Sequence, residues 1–447
     1  MTSELFDPLY GIDAVADTVD DGAWLRAIVA VEAALSRALG DAGAAERADA
    51  DAAAALAGAL ELDPAEIGRD SVSGGNPVIP VVNRLRAAAT AAGLPSGSVH
   101  RGATSQDVMD TALVLLIRDA SARVADRLWA GSDHAAGLAR AHRDTPAAAR
   151  TLGQQALPTT FGALASGWAL GLAEAAADVA AAAAALPVQF GGAAGTLAAL
   201  YPHGLDVADA LADRLGLPRQ VTVWHTRRRP LHLVAGALGS ACGTVSKVAT
   251  DVVLMASTEV GEVAEAFPGG SSAMPHKRNP TAAVTARADA RRAPGLVATL
   301  LASSDHEFAR AAGPWHAEWP TVTELLRVTG GAAARLAVSL DGLVVHTDAL
   351  AHNLDITRGA LLAERVTGAL APYTPDARRI VTDACLSGLR LDTVDAITTH
   401  VPADHVRELL DPAGYLGHAG DLVDRALARV AQLRRTTTTI TKETQQA

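Results

Sequence analysis

Leu238-Gly-Ser-Ala-Cys242-Gly-Thr-Val245-Ser-Lys-Val-Ala249-Thr-Asp-Val252-Val-Leu-Met-Ala256 is the stretch that settles the fold class. Its apolar and small residues at 238, 242, 245, 249, 252 and 256 are spaced 4, 3, 4, 3 and 4. That spacing is one stripe down an α-helix. A helix starting after Pro230 and running to about Ala266 is predicted. At 1.5 Å per residue it is a rod of roughly 50 Å. Such rods suit a bundle and not a doubly wound sheet.

Working outward, Leu113, Ile117, Ala120, Val124 and Leu128 form a second stripe. Phe161, Leu164, Trp168, Leu172, Ala176 and Val179 form a third that runs on to Pro187. Segments 281–303 and 320–350 also read as helix, and no clean period-2 alternation stands out, so strands should be few. The composition agrees: aromatics are only 3% and alanine, the best helix former, is abundant. The expectation is an all-α protein. Two-sided stripes rich in small residues let helices approach closely, and a monomer would struggle to cover them. An oligomer built on a multi-helix bundle is therefore expected.

Punctuation divides the 447 residues into three regions. Residues 1–108 form an amino-terminal helical region, with the linker Gly93-Leu-Pro-Ser-Gly-Ser98 near its end. Residues 109–350 hold the long rods. Residues 351–447 hold shorter helices around Pro372, Pro375, Pro402 and Pro412, and the polar tail from Thr436 is expected to fray. No internal repeat is visible.

The formal net charge of −11 disfavours nucleic acid or an anionic membrane as partner. Cys242 and Cys385 lie far apart and outside any metal-ligand spacing, so neither a metal site nor a disulfide framework is expected. Met1-Thr-Ser-Glu-Leu-Phe6 lacks the pattern of a secretion signal, and no apolar run is read as a membrane span. A cytoplasmic protein is expected. Lysine occurs only at 247, 277 and 442 in a chain otherwise rich in arginine.

Six segments could carry chemistry. Gly269-Gly-Ser-Ser-Ala-Met-Pro-His-Lys-Arg-Asn-Pro280 joins two predicted helices. Its glycines permit movement, its prolines stiffen the far end, and Ser271 and Ser272 face a cationic corner at Lys277. His100-Arg-Gly-Ala-Thr-Ser-Gln-Asp107 precedes a long helix, where hydroxyls and free N–H groups favour anions. Thr104 and Ser105 equally suit an ordinary helix cap. Arg150-Thr-Leu-Gly-Gln-Gln-Ala-Leu-Pro-Thr-Thr160 reads as a capped loop before another helix. Gln189-Phe-Gly-Gly-Ala-Ala-Gly-Thr196 is a Gly-rich turn after a helix, which rules against a dinucleotide loop. Arg310-Ala-Ala-Gly-Pro-Trp-His-Ala-Glu-Trp319 places two of the six tryptophans beside Arg310, His316 and Glu318. Trp224-His-Thr226 is followed by Arg227, Arg228 and Arg229, which could simply face solvent or acidic neighbours.

Together these segments resemble the fumarase/aspartase superfamily. Gly270–Pro280 is similar to its signature loop, and Thr104-Ser105 and Gly191–Thr196 match its other two motif regions in order and spacing. Within the superfamily the 3-carboxy-cis,cis-muconate cycloisomerase branch is resembled by Leu5–Tyr10, Gly75–Pro80, Gly102–Asp107, Gln154–Pro158, Gly191–Thr196, Trp224–Thr226 and Trp315–Trp319. Lys277-Arg278-Asn279 departs from the Lys-Val-Asn usual in fumarases and aspartases. Leu152 stands where adenylosuccinate lyases usually carry a histidine acid, and Leu197 where they usually carry glutamine.

The resemblance implies a three-domain all-α homotetramer whose active sites gather residues from three subunits, with no metal or organic cofactor. It implies a small polycarboxylate substrate, 3-carboxy-cis,cis-muconate, closed to 4-carboxymuconolactone. Ser271 is implied to exchange the α-proton. Lys277 and Asn279 would hold the carboxylate that becomes the aci-form, Thr104 and Ser105 a second carboxylate, and Arg310 a third. Gln154 would donate to the reacting edge, while Ser73, Asn76, His225 and His316 would line the pocket. Two alternatives remain: a fumarate-releasing β-elimination lyase on a substituted succinate, and a helical scaffold without activity.

Overall fold

The computed structural model describes residues 4–95 and 97–446. Met1–Ser3 of the amino-terminal stretch and Ser96 of the 93–98 linker lie outside the described residues. The fold is all-α, with two small two-stranded sheets among the described residues. Long helices at Ser105–Ala141, Phe161–Ala184, Arg229–Met255 and Pro314–Leu340, with Thr281–Ala290, pack on one another as a bundle. The carboxy-terminal helix Ala419–Gln446 returns to lie along Phe161–Ala184, so the tail expected to fray is helical to Gln446.

Capping fixes where the helices begin. Thr160 Oγ1 accepts the Ala163 N–H at 3.0 Å and opens Phe161–Ala184. Thr104 and Asp107 form a reciprocal capping box at the start of Ser105–Ala141. The stripe quoted above is the core face of its helix: Leu238, Cys242, Val245, Ala249 and Val252 are all buried. Each large member adds about 1.5–3 kcal/mol on full burial. The Trp168 indole N–H donates to Asp251 Oδ2 at 2.7 Å and ties two rods together. Gly330 and Gly331 allow the tightest approach. A Cβ on the first would stand 2.6 Å from the Val15 side chain, and on the second 2.8 Å from Asp289 Oδ2. A smaller apolar cluster around Val366, Leu370, Val381, Ile397 and Val406 is separate from the main core.

Four boundaries differ from the sequence reading. The central helix ends at Met255 and not near Ala266. The chain turns back through Gly261 at φ 62°, and the Glu262 N–H bonds to Met255 O at 2.9 Å. Segment 281–303 is two helices, Thr281–Ala290 and Ala293–Ala302, because Pro294 suits only a helix start. The next helix begins early, at Pro314, and ends at Leu340, where a short Val344–Val345 strand pairs with Val263–Ala264. The expected loop at 150–160 is largely one arm of an antiparallel hairpin, Pro146–Thr151 with Gln154–Thr160. Leu152 and Gly153 turn it, both at positive φ, 51° and 78°.

By length and composition alone, Arg229–Met255 could cross a membrane. Within the bundle 44% of its most apolar window is buried, as in a core helix shared between faces.

Candidate active site

Three clusters gather the chemistry-bearing segments. The first lies at the start of the Ser105–Ala141 helix. The Asp107 carboxylate is 1% exposed and meets three backbone N–H groups and the His225 ring. Thr104 N–H and Gly192 N–H each donate to Oδ2 at 2.9 Å, and Gly191 N–H donates to Oδ1 at 2.8 Å. His225 Nε2 stands 2.7 Å from Oδ1. The helix start, the Gly-rich turn and the Trp224–Thr226 run thus meet at one carboxylate. Arg310 joins them, its guanidinium donating to Ala193 O at 3.2 Å, while its enclosed Nε has no partner.

One helical turn deeper lies a buried ion-pair network. Arg228 is fully enclosed, bonded to Asp110 at 2.7 and 2.9 Å and to Glu318 at 2.6–3.0 Å. Its guanidinium carbon lies 4.9 Å from the Trp224 ring centre. Burial alone would push the Asp110 carboxyl up, but Arg228, the Trp315 indole N–H and the Gln189 amide hold it below its usual range. Burial likewise opposes the charge on Arg228, and its two carboxylate partners more than restore it. Arg228 is therefore a structural charge, the member of the basic run that faces acidic neighbours and not solvent.

The second cluster is the loop 269–280. Gly269 and Asn279 exchange two backbone hydrogen bonds, 2.9 and 2.8 Å, that close its neck. Beneath it the buried Glu265 carboxylate accepts the Ala282 and Ala283 N–H groups and caps the following helix. Within the loop, Ser271 Oγ accepts N–H groups from Met274 at 3.1 Å and Ala273 at 3.4 Å. The Asn279 amide donates to Gly270 O. Ser272, Lys277 and Arg278 are exposed, and no carboxylate partners the Lys277 ammonium among the described residues.

The third cluster holds the hairpin. Arg150 makes a two-pronged pair with the fully buried Glu262 at 2.6 and 2.9 Å. Asn353 donates to Glu262 at 2.8 Å and to Val260 O at 2.9 Å. Leu152 at the tip is fully exposed, and Gln154 beside it donates only to Gly153 O.

The remaining candidates sit apart from these. Asn76 is a local cap, accepting Val78 N–H and donating to Gly74 O, while Ser73 is exposed. His316 is exposed and lies edge-on to Trp315 with centroids 5.1 Å apart. Gly75 faces His316, whose Nε2 is 3.7 Å from where a Cβ would sit. His225 lies 4% exposed behind the Gly-rich turn, held by Asp107. Thr104 is buried at the head of the helix with its backbone N–H given to Asp107, and Ser105 is half-buried beside it.

Sequence reasoning missed Asp107, Asp110, Glu262, Glu265 and Arg228 as organisers. The Thr-x-x-Asp spacing of a capping box was the one available signal, at Asp107. Among the described residues no hydrogen bond or ion pair joins the 269–280 loop to either other cluster, and no group of three metal-ligating side chains occurs.

Residues 17–295 match the model of a lyase family. The chain is 40% identical over 450 residues to a nitrosuccinate lyase of Streptomyces davaonensis, covering 95% of this chain and 94% of that protein. It is 38% identical to the 3-carboxy-cis,cis-muconate cycloisomerase of Bradyrhizobium diazoefficiens, covering 95% and 98%. The crystal structure of the 3-carboxy-cis,cis-muconate lactonizing enzyme from Pseudomonas putida superposes with a TM-score of 0.89 at 34% identity, covering 97% and 100%.

Proposed function

The chain belongs to the fumarase/aspartase lyase superfamily, and from that premise we propose that it closes 3-carboxy-cis,cis-muconate to 4-carboxymuconolactone. The observation that carries this reading is the Ser271 oxygen accepting two amide N–H groups inside the loop. That arrangement favours an alkoxide, which is what a serine must become to exchange a proton with carbon.

In the forward direction one substrate carboxylate oxygen bonds to the alkene carbon. The π electrons move towards a second carboxylate, held as its aci-form by Lys277 and Asn279. The Ser271 hydroxyl then delivers its proton to the carbon α to that carboxylate. The alkoxide left behind takes one proton from solvent, so a trianion plus a proton becomes a dianionic lactone. Thr104 and Ser105 hold one further carboxylate and Arg310 the other. Gln154, Ser73, Asn76 and His316 border the substrate from neighbouring elements. Leu152 supports this chemistry, because a carboxylate leaves without help from an acid in the reverse direction.

A second reading, favoured by the 40% identity to a nitrosuccinate lyase, keeps Ser271 as base. A substituted succinate loses its α-proton and then a weakly basic leaving group, nitrite, giving fumarate. Leu152 suits this equally, for nitrite needs no protonation either.

The three separated clusters support a site assembled from several subunits of a homotetramer. So do Leu233 and Leu254, exposed on the long central helix, and Val284, Leu301 and Val338 nearby. The domain division at 108 and 350, a cytoplasmic setting with free thiols, and the absence of nucleic-acid or membrane partners complete the proposal.

The test is purified protein with 3-carboxy-cis,cis-muconate, with and without chelator. Chelator-insensitive loss of diene absorbance, with the lactone identified as product, is the expected result. An inert diene together with fumarate and nitrite released from nitrosuccinate would replace the first reading by the second.

A further inference from the structure

We infer that Asp107 is a positioning residue that holds the carboxylate-binding half of the site in register, with His225 as its buttress. This rests on the reading that Thr104, Ser105 and Arg310 take substrate carboxylates. Those groups come from sequence segments more than a hundred residues apart, and none of them is braced to another directly. Both segments are tied to one carboxylate, the first through the Thr104 N–H and Arg310 through the turn that carries Ala193. Asp107 Oδ2 takes the Thr104 N–H, which sets the first residue before the helix, and the Gly192 N–H. Oδ1 takes the Gly191 N–H and faces His225 Nε2. The turn fixed in this way presents Ala193 O to the Arg310 guanidinium.

The chemistry explains why a carboxylate sits there. A dianionic or trianionic substrate needs donors spaced to match its own carboxylates, and a turn of free N–H groups has no reason to keep one shape. A buried carboxylate accepts several N–H groups at once, and each such charge-assisted bond is stronger than a neutral one. Glycine is required at 192, where φ is 72° and a Cβ would stand 2.8 Å from Gly102 O. The Gly-rich turn is thereby pressed against the loop that leads into Thr104.

His225 completes the clamp. Its ring is packed against Gly191, where a Cβ would stand 3.1 Å from Cε1. Its carbonyl oxygen accepts the Gln106 amide at 2.8 Å and faces His306 Nδ1 at 3.2 Å. The charged groups around this unit are Asp107 and Asp110 from the long helix, Arg228 from its own segment, and His306, Arg310 and Glu318 from the 303–340 stretch. All but Arg310 are engaged with one another, so Arg310 is the cation left to meet a substrate.

The experiment compares wild type with Asp107→Asn, His225→Gln and His225→Leu. Propane-1,2,3-tricarboxylate and acetate serve as binding probes by calorimetry, beside kcat and KM on the turned-over substrate. Asparagine at 107 presents an NH2 to donors that need acceptors. Glutamine at 225 keeps a donor for Asp107, and leucine removes it. The expected result is a KM raised and a tricarboxylate affinity lowered roughly 10–100-fold in Asp107→Asn and His225→Leu, the usual size when a supporting partner is lost. The kcat should change less than KM, acetate binding should hardly move, and His225→Gln should recover most of the loss. A merely structural role would lower the active fraction without splitting KM from kcat or tricarboxylate from acetate. If Asp107→Asn fails to fold, the two His225 variants carry the same comparison. Wild-type protein that ignores the tricarboxylate would overturn the carboxylate-site reading and this role together. Wild-type binding with unchanged affinity in His225→Leu, or in a folded Asp107→Asn, would overturn the positioning role alone.

Discussion

The 269–280 loop and the Asp110–Arg228–Glu318 network use the same kinds of residue to opposite ends. In the loop, Lys277 and Arg278 stand in solvent, and the backbone neck at Gly269 and Asn279 supplies the restraint. In the network, Arg228 is fully enclosed and each of its three nitrogens already donates to a carboxylate. A charge satisfied in a dry core cannot turn to a substrate, while a charge left unpaired at a loop neck can. Counting charges in a sequence does not separate the two cases; the partners do.

The largest effect should come from the loop. Ser271→Ala is expected to lower kcat roughly 10²–10⁴-fold, the span for a positioned proton carrier. Stability should stay within about 0.5 kcal/mol, because the residue is partly exposed and anchors no core. Steady-state kinetics beside a denaturant melt reads both numbers. Near-normal turnover in a folded variant would remove Ser271 from the mechanism and collapse the contrast.

The network should answer in the other currency, stability. Arg228→Met leaves Asp110 and Glu318 facing each other without their cation, and breaking such a buried pair costs about 3–5 kcal/mol. A denaturant midpoint unchanged from wild type would mean that water or a shifted proton replaces the arginine. The hairpin tests the ground between. Arg150 is one-third exposed, but its partner Glu262 is fully buried and keeps only the Asn353 amide when the arginine is lost. Arg150→Ala should cost about 2 kcal/mol, as for a charged hydrogen bond. A loss as large as that of Arg228→Met would show the hairpin to be as rigidly built as the core.

Much of this architecture is legible in the sequence. The stripe from Leu238 to Val252 marks a core helix, since periodicity reports burial directly. The ends of the rods are less legible. The stop at Met255 is dictated by Glu262 turning back to find Arg150, a partner more than a hundred residues away. The hairpin at 146–160 escapes because its pairing is interrupted by a bulge between Ala148 and Arg150, and because Leu152 sits at a positive φ that leucine seldom takes. At the site, the loop residues stand out as a motif. Asp107 and Arg228 do not, because their roles are defined by what the fold brings to them. His225 was legible as a polar residue near chemistry, but its burial behind Asp107 was not.

The smallest effect concerns a carboxylate that belongs to neither pattern. Asp289 is fully buried, as Arg228 is, yet its Oδ2 has no partner, and Oδ1 meets only Arg292 at 2.8 Å. Burial pushes its carboxyl up to about 6, with Arg292 pulling the other way and Glu324 adding to the rise. Between pH 4 and 6 the folded chain therefore holds a proton that the unfolded chain releases. Stability from this group is present at low pH and is lost as pH rises through about 6. Asp289→Asn removes the penalty while keeping an oxygen for Arg292. It should stabilise the protein by about 1 kcal/mol at pH 8, a sum of relieved desolvation and a weakened ion pair. The gain should vanish at pH 4, where the wild-type carboxyl is already neutral. Denaturant melts of both proteins across pH 4–8 measure it. A variant that is instead less stable at pH 8 would show Asp289 to be a fully compensated anion, and would move it into the same class as Asp110.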